Sequence, residues 1–351
     1  MGVDLTGRQR AMLALTLGLA LFAPVAATAD PIEDFYRNKT IDMVIGYSPG
    51  GSYDLYARLV GRFLGDFIPG KPRVVIRNMP GGGSRVAAAY VYNVAPKDGT
   101  VIATGDQSLA VEQAMGDKSL VIDVNRFQYI GSPITENNTL VTWHTSGVKT
   151  VEDARQREVP VGATGGSTSS QYPKAMNALL GTKFKIIMGY PGGNDVSLAM
   201  EKGEVMGRGS NAWGAWKATR PDWIRDKKIN ILVQIGLKKA DDLPDVPLLI
   251  DLARNDEDRA VLKLLSASGS IGRPLFLAPG VPAERIKALR DAFDRMVADK
   301  AFLDAAAAEK FDVSPVSGVE LQRIVGEIVA TPKPIADRLT QIIGGIEQNT
   351  R

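Results

Sequence analysis

One histidine, His144, and no cysteine are all that this 351-residue chain offers the commonest catalytic devices. A histidine-dependent triad would have to use His144, and a zinc site would have one imidazole and no thiolate, a poor ligand set. His144 ends the alternating run Leu140-Val141-Thr142-Trp143-His144. That pattern reads as a strand entering a polar turn, which makes His144 a strand-end residue rather than a ligand or a base. Ser167 and Ser169, with Lys174 nearby, are the candidates for a serine hydrolase, but neither sits in a Gly-x-Ser-x-Gly elbow. No metal and no cofactor is expected.

What recurs instead is loop chemistry suited to anions. Four Gly-rich loops each follow an apolar run and precede a helical pattern: Ser48 to Asp54, Pro80 to Arg85, Thr164 to Ser170, and Tyr190 to Asn194. In open α/β sheets ligands sit at the carboxyl ends of strands, where helix N-termini present free N–H groups and partial positive charge. Glycine lets that backbone approach a ligand closely. The first loop has neither the Lys-Ser/Thr of a phosphate-binding P-loop nor dinucleotide Gly-x-Gly-x-x-Gly spacing. Two such loops in each of two lobes would make an anion-binding cleft closed from both sides.

The elements that must position these loops alternate strand and helix. Ile41 to Tyr47 reads as a strand, followed by a helix with Leu55, Leu59, Val60, Phe63, Leu64 and Phe67 on one face. Further strands are expected at Val74–Arg77, Thr100–Thr104, Val159–Ala163, Phe184–Met188, Val205–Gly209, Asn230–Gly236 and Ile271–Ala278. Thr150 with Asp153, and Ser317 with Glu320, read as helix-capping pairs. The βαβ order predicts α/β lobes with mostly parallel sheets flanked by helices.

Arg8 and Arg10 precede an apolar run from Ala11 to Val25, and Ala27-Thr28-Ala29 is a small-x-small signal. The run is too short for a span of roughly 20 residues, so a secretory leader, residues 1–29, cleaved after Ala29, is expected. That leaves residues 30–351, enough for two domains. The whole chain carries +3, and removing Asp4, Arg8 and Arg10 leaves +2. Near-neutral charge with scattered basic residues argues against a nucleic-acid surface.

The ordered set of motifs resembles the solute-binding proteins of tripartite tricarboxylate transporters, the Bug family. It runs from Tyr47-Ser48-Pro49-Gly50-Gly51-x-x-Asp54 with Ala57-Arg58, through Arg77-Asn78-x-Pro80-Gly81-Gly82-Gly83, Ala95-Pro96-x-Asp98-Gly99, Gly189-Tyr190-x-Gly192 and Gly203-Glu204-Val205, to Leu243-Pro244-Asp245-Val246-Pro247 and Phe276-x-Ala278-Pro279-Gly280-Val281-Pro282. The resemblance implies a two-lobed periplasmic-binding-protein fold with the ligand cleft between lobes. Residues 30–132 plus 270–351 would form the first lobe and 133–269 the second, with crossovers near Ser132 and Gly269. It implies a periplasmic monomer that captures a small organic acid, a dicarboxylate or an aromatic acid among the choices. Such a protein does no chemistry on its ligand and hands it to integral-membrane transporter subunits. A protein used for sensing rather than uptake would look the same in sequence.

By this reading the ligand-facing residues are Tyr47, Ser48, Gly50, Gly51, Ser52 and Tyr53 in the first loop and Gly82, Gly83, Ser84 and Arg85 in the second. The other lobe supplies Thr164, Ser167, Thr168, Ser169 and Ser170, then Tyr190 and Gly192, with Arg208 and Asn211. Several depart from the family's usual run: Tyr47-Ser48 replaces Phe-Pro, and Gln171 stands where a histidine is common. Asp54, a carboxylate facing an anion site, is expected to order the Pro49-Gly50-Gly51 loop at a helix start rather than touch the ligand. Arg85, at a helix N-terminus against the dipole, would grip a ligand carboxylate with its planar fork, Arg208 gripping a second; the plainer alternative pairs Arg85 with a nearby acid. Trp213 and Trp216 are either core residues at i, i+3 spacing or a wall of the pocket.

Overall fold

The computed structural model describes residues 30–344; the expected leader lies outside them. The chain runs α1 (Pro31–Tyr36), β1 (Thr40–Ile45), α2 (Ser52–Phe67), β2 (Arg73–Asn78), α3 (Arg85–Asn93), β3 (Val101–Thr104), α4 (Leu109–Ala114) and β4 (Gln128–Ser132). It then crosses to β5 (Asn138–Trp143), α5 (Val151–Gln156), β6 (Val159–Gly162), α6 (Thr168–Leu180), β7 (Phe184–Ile187), α7 (Gly193–Glu201), β8 (Gly207–Ala212), α8 (Trp213–Thr219), α9 (Pro221–Arg225), β9 (Ile229–Ile235) and α10 (Asp256–Ala267). It returns through β10 (Leu275–Leu277), α11 (Ala283–Ala298), α12 (Lys300–Ala308), β11 (Val316–Ser317), α13 (Gly318–Val329) and α14 (Lys333–Gly344).

Two sheets result, one ordered β11-β4-β10-β3-β1-β2 and the other β7-β6-β8-β5-β9. Burial follows the period-2 rule of strands. Ile41, Met43 and Ile45 of β1 enter one apolar cluster, while Val44 enters another on the opposite face. Both sheets are mixed rather than mostly parallel in their pairings. β1 pairs in parallel with β2 and β3, and β6 with β7 and β8, but β10, β11 and β5 pair antiparallel to every neighbour. The reversed strands β5 and β10 are the ones through which the chain enters and leaves the second sheet, so each starts from the opposite end. The last helix, α14, lies beside the second sheet: Leu339 and Ile343 share a cluster with Tyr172 and Met176 of α6 and Leu265 of α10.

Some expected elements shift. The return strand shrinks to three residues because a 3-10 turn occupies Ser268–Ser270 and Gly272 has φ +63°. The strand expected at Val205–Gly209 is paired at Gly207–Ala212. Thr150 and Asp153 form a reciprocal capping box on α5, and Ser317 Oγ accepts from Glu320 N at 3.3 Å at the start of α13. Among the described residues no helix is long and apolar enough to cross a membrane.

Candidate functional site

Three helix N-termini meet between the two sheets. Gly51, Ser52 and Tyr53 open α2; Ser167 caps α6, with Thr168 and Ser169 in its first turn; Gly193 opens α7. With Tyr47, Thr164 and Asn211 they line a cavity of about 40 Å³. The hydroxyls of Thr164, Ser167 and Ser169 lie 2.8–3.2 Å from one another, and Ser169 Oγ accepts from Thr164 N at 2.9 Å. The triangle offers rotatable O–H donors beside the α6 dipole. Neither Lys174 nor His144 lines the cavity. His144 is exposed at the end of β5.

Two guanidiniums dominate the charge. Arg208, on β8, stacks over Trp216 at 5.2 Å and reaches only Ser197 Oγ, at 3.5 Å. It presses so close to the first residue of α7 that a Cβ at Gly193 would lie 2.0 Å from Nη2. It forms no ion pair among the described residues. Enclosure, then the neighbouring charges of Arg273 and Arg220, pull its pKa down to about 9. It is still a cation at neutral pH, held against a helix N-terminus. Arg273 is 3% exposed, donates to Ser52 Oγ at 3.0 Å and lies 4.4 Å from the Tyr53 ring centre. Its nearest carboxylate is Glu136, at 3.8 Å, on the segment joining β4 to β5. Burial works against the Arg273 cation, but Tyr53, Glu136 and other groups hold its pKa above the ordinary value.

The segment after β3 supplies the remaining charge. Asp106 is 4% exposed and accepts from Tyr47 OH at 2.5 Å and from Ser108 N at 2.8 Å. Gln107 donates its backbone N–H to Tyr53 OH at 3.0 Å, and its side-chain oxygen is buried without a partner. Neither residue belongs to the four Gly-rich loops. The rule that selects those loops also selects Gly105-Asp106-Gln107-Ser108, which follows a strand and opens a helix. Arg273, between Gly272 and Pro274, carries no loop signature and emerges only from the fold.

Of the expected residues, Tyr47, Gly51, Ser52, Tyr53, Thr164, Ser167, Thr168, Ser169, Arg208 and Asn211 line the cavity. The others do not, and some close the cleft instead. Ser48 donates from Oγ to Asp195 at 2.5 Å and from N to the Pro191 carbonyl at 3.3 Å, joining the two sheets' loops. Gly50 N donates to Asp54, and Gly192 caps α7 beneath Ser48. Gly83 (φ +66°) approaches Gly166 and Ser167 so closely that a Cβ would meet them at 3.1–3.2 Å. Ser84 Oγ accepts from Asp106 N at 2.6 Å, supporting the cavity from behind, and Ser170 Oγ is spent on Gly165 and Ser167 carbonyls. Gly82 and Tyr190 line a separate outer groove beyond Thr164.

Arg85 takes the plainer role. It donates to Glu112 at 2.9 Å, Asp117 at 2.6 Å and Ser119 at 2.5 Å, all in its own lobe, and it does not line the cavity. Glu112 in turn accepts from Ser108 Oγ and, across the cleft, from Gln171 Nε2 at 3.1 Å. Burial pushes Glu112 up to about pKa 7 despite Arg85. Asp54 does order the first loop: it accepts from Gly50 N, Arg58 Nε and Asn78 Nδ2, and Asn78 also donates to the Tyr47 carbonyl. Neither tryptophan lines the cavity. Trp213 donates to Asp242, and Trp216, fully buried, donates to Thr139 and supports Arg208 from below.

Two helix-flanked mixed sheets, joined by crossing segments and closing loops over a polar cavity, define a two-lobed periplasmic-binding-protein fold. The chain belongs to the tripartite tricarboxylate transporter family receptor group, whose description matches residues 70–340, and it is a solute-binding protein of that family. It is 25% identical over 334 residues to a UPF0065 protein from the gbd 5' region of Cupriavidus necator, covering 92% of this chain and 93% of that one. Similar solved structures include the periplasmic binding protein BugD (TM-score 0.69, 18% identity, 88% of this chain and 99% of that one). They also include MatC of Rhodopseudomonas palustris with bound malate (0.67, 19%, 85% and 99%). An R. palustris protein solved with adipate is equally similar (0.67, 19%, 87% and 97%). These likenesses establish the shared fold.

Proposed function

We propose that the mature chain, exported and cleaved after Ala29, is a periplasmic monomer that captures a small organic acid between lobes 30–132 plus 270–351 and 133–269, with α14 (Lys333–Gly344) of the first stretch packed onto the second lobe. It delivers the acid to the integral-membrane subunits of its transporter without altering it. The observation that carries the ligand class is Arg208: a half-buried cation with no carboxylate partner among the described residues, pressed against the N-terminus of α7 and lining a cavity that Arg273 also lines. An anion from outside the chain would supply the charge partner it lacks. Malate and adipate, bound by two structural neighbours, fit the same chemistry.

The test is a thermal-shift screen of the mature chain against organic acids, followed by calorimetry. A ligand at 100 times its Kd adds about 2.7 kcal/mol. Arg208→Met weakens binding by about 2–4 kcal/mol while leaving the unliganded protein as stable as wild type or more so, because an unpaired cation has been removed. Unchanged affinity in Arg208→Met sinks the carboxylate reading.

A further inference from the structure

The cavity holds a negative group as well as positive ones; Arg273 has Glu136 at 3.8 Å, but Asp106 and Arg208 form no ion pair among the described residues. Asp106 lines it, nine-tenths buried, yet forms no ion pair with Arg208, Arg273 or any other described residue. Its two hydrogen bonds, from Tyr47 OH and Ser108 N, use about half of the roughly four acceptor positions of a carboxylate. Beside it, the buried Gln107 side-chain oxygen has no partner. A cavity made only for carboxylates gains nothing from a fixed carboxylate in its wall, which would repel them.

We infer that the ligand is a carboxylate that also carries a hydrogen-bond donor, a hydroxyl or an ammonium, and that Asp106 with Gln107 reads that donor while Arg208 and Arg273 take the acid. The inference rests on the carboxylate reading above and narrows its ligand class. Asp106 is then a specificity residue. It is positioned by Ser84, whose hydroxyl accepts its N–H, and by the Tyr47 phenol, which donates to its carboxylate. A plain diacid places nothing but C–H against Asp106 and leaves a buried carboxylate short of donors, the situation in which sites built for a donor reject analogues lacking one.

Matched acids separate the variables. Calorimetry with the mature chain uses succinate, malate and aspartate, then glutarate, 2-hydroxyglutarate and glutamate, then propionate, lactate and alanine. In at least one series the hydroxy or amino member binds roughly tenfold or more tighter than the plain acid, and which of the two wins identifies the donor. Asp106→Asn collapses that ratio to about threefold or less, strengthening the plain acid and weakening the donor-bearing one, as expected from those same hydrogen-bond energies. Circular dichroism and the melting temperature confirm that the variant folds. If Asp106→Asn does not fold, Gln107→Leu in its place must narrow the ratio. Plain acids binding as well as their donor-bearing partners in every series overturns this inference and leaves the carboxylate reading intact. A preference unchanged in the folded variant does the same. No binding by any acid, here or in the wider screen, overturns both.

Discussion

Replacing Asp54 by alanine tests whether the first loop is held by a buried carboxylate. The side chain is 2% exposed and accepts from Gly50 N at 2.9 Å, Asn78 Nδ2 at 2.8 Å and Arg58 Nε at 2.8 Å. Arg58 is 45% exposed and finds water instead, so its share is small. Gly50 loses its acceptor, and Asn78 keeps only the Tyr47 carbonyl. Two lost bonds to a charged acceptor, partly compensated by water, cost about 2–4 kcal/mol, more than the 0.5–2 kcal/mol of an ordinary cap. With about 2.1 cal/mol/K of unfolding entropy per residue, the melting temperature falls by about 3–6 °C. Burial raises the Asp54 pKa, but the bonds from Arg58, Gly50 and Asn78 outweigh it and hold it below 3.8. Its contribution is therefore present above that pH and lost as pH falls through the lower folded value. Wild type and variant should differ at pH 7 and converge in acid. Affinity falls too, because the loop carries Gly51 and Ser52. Calorimetric unfolding and ligand titration measure both, and lost affinity at an unaltered melting temperature at pH 7 refutes the reasoning.

Four further outcomes follow from the closed cleft. Burial raises Glu112 to about pKa 7 where Gln171 Nε2 donates to it, so closure is expected to bring proton uptake. Ligand titration in two buffers of different ionisation enthalpy near pH 6.5 should show net proton uptake that vanishes in Glu112→Gln; persistence in the variant removes Glu112 as the source. Because the folded pKa lies above 4.5, Glu112 also costs stability as pH rises from about 4.5 to 7, so Glu112→Gln flattens the melting-temperature profile there. Arg85→Ala leaves the buried Glu112 unpaired and destabilises by about 1–3 kcal/mol, weakening monocarboxylates and dicarboxylates equally; a selective loss of dicarboxylates would return Arg85 to the ligand. Trp216→Phe removes the indole N–H that donates to Thr139 and the fluorophore beneath Arg208, leaving a smaller ring there, and abolishes most of the ligand-dependent tryptophan fluorescence, whereas Trp213→Phe preserves it.

The sequence displays the loops well and the charges poorly. Gly51-Ser52 and Ser167-Thr168-Ser169 announce themselves because helix N-termini need those residue types locally, whatever the tertiary fold. The segment Gly207-Arg208-Gly209-Ser210-Asn211-Ala212 has no strand alternation, and its pairing with β5 is dictated by neighbours rather than propensity. Its register, and with it the placement of Arg208 in the cavity, was therefore not legible in detail. Arg273 and Glu136 face each other from segments more than 130 residues apart, a relation set by the two crossovers alone. Arg85 shows the converse. Its conflict with the helix dipole was visible, but the acids that resolve it, Glu112 and Asp117, lie on another helix and its following turn.

Closure and charge are one problem in this cleft. Ser48 with Asp195, and Glu112 with Gln171, draw the lobes together at separate points around the cavity. Closing of the lobes would bring Arg208, held on the second lobe over Trp216, into the field of Arg273, held on the first by Ser52 and Tyr53. Hydrogen bonds between neutral or singly charged loop groups favour the closed form only modestly, since water serves the same groups when the cleft is open. The approach of two guanidiniums opposes closure, and its cost grows as solvent leaves. An anion between them reverses the sign of that electrostatic contribution while leaving the loop contacts unchanged. The difference between open and closed affinity, which is all that a ligand can use to shift the equilibrium, is thus concentrated in Arg208 and Arg273. Neutralising Arg208 should accordingly let the empty protein close more readily while the ligand closes it less. Small-angle scattering would show this as a smaller radius of gyration without ligand than wild type has, and a smaller change on adding it.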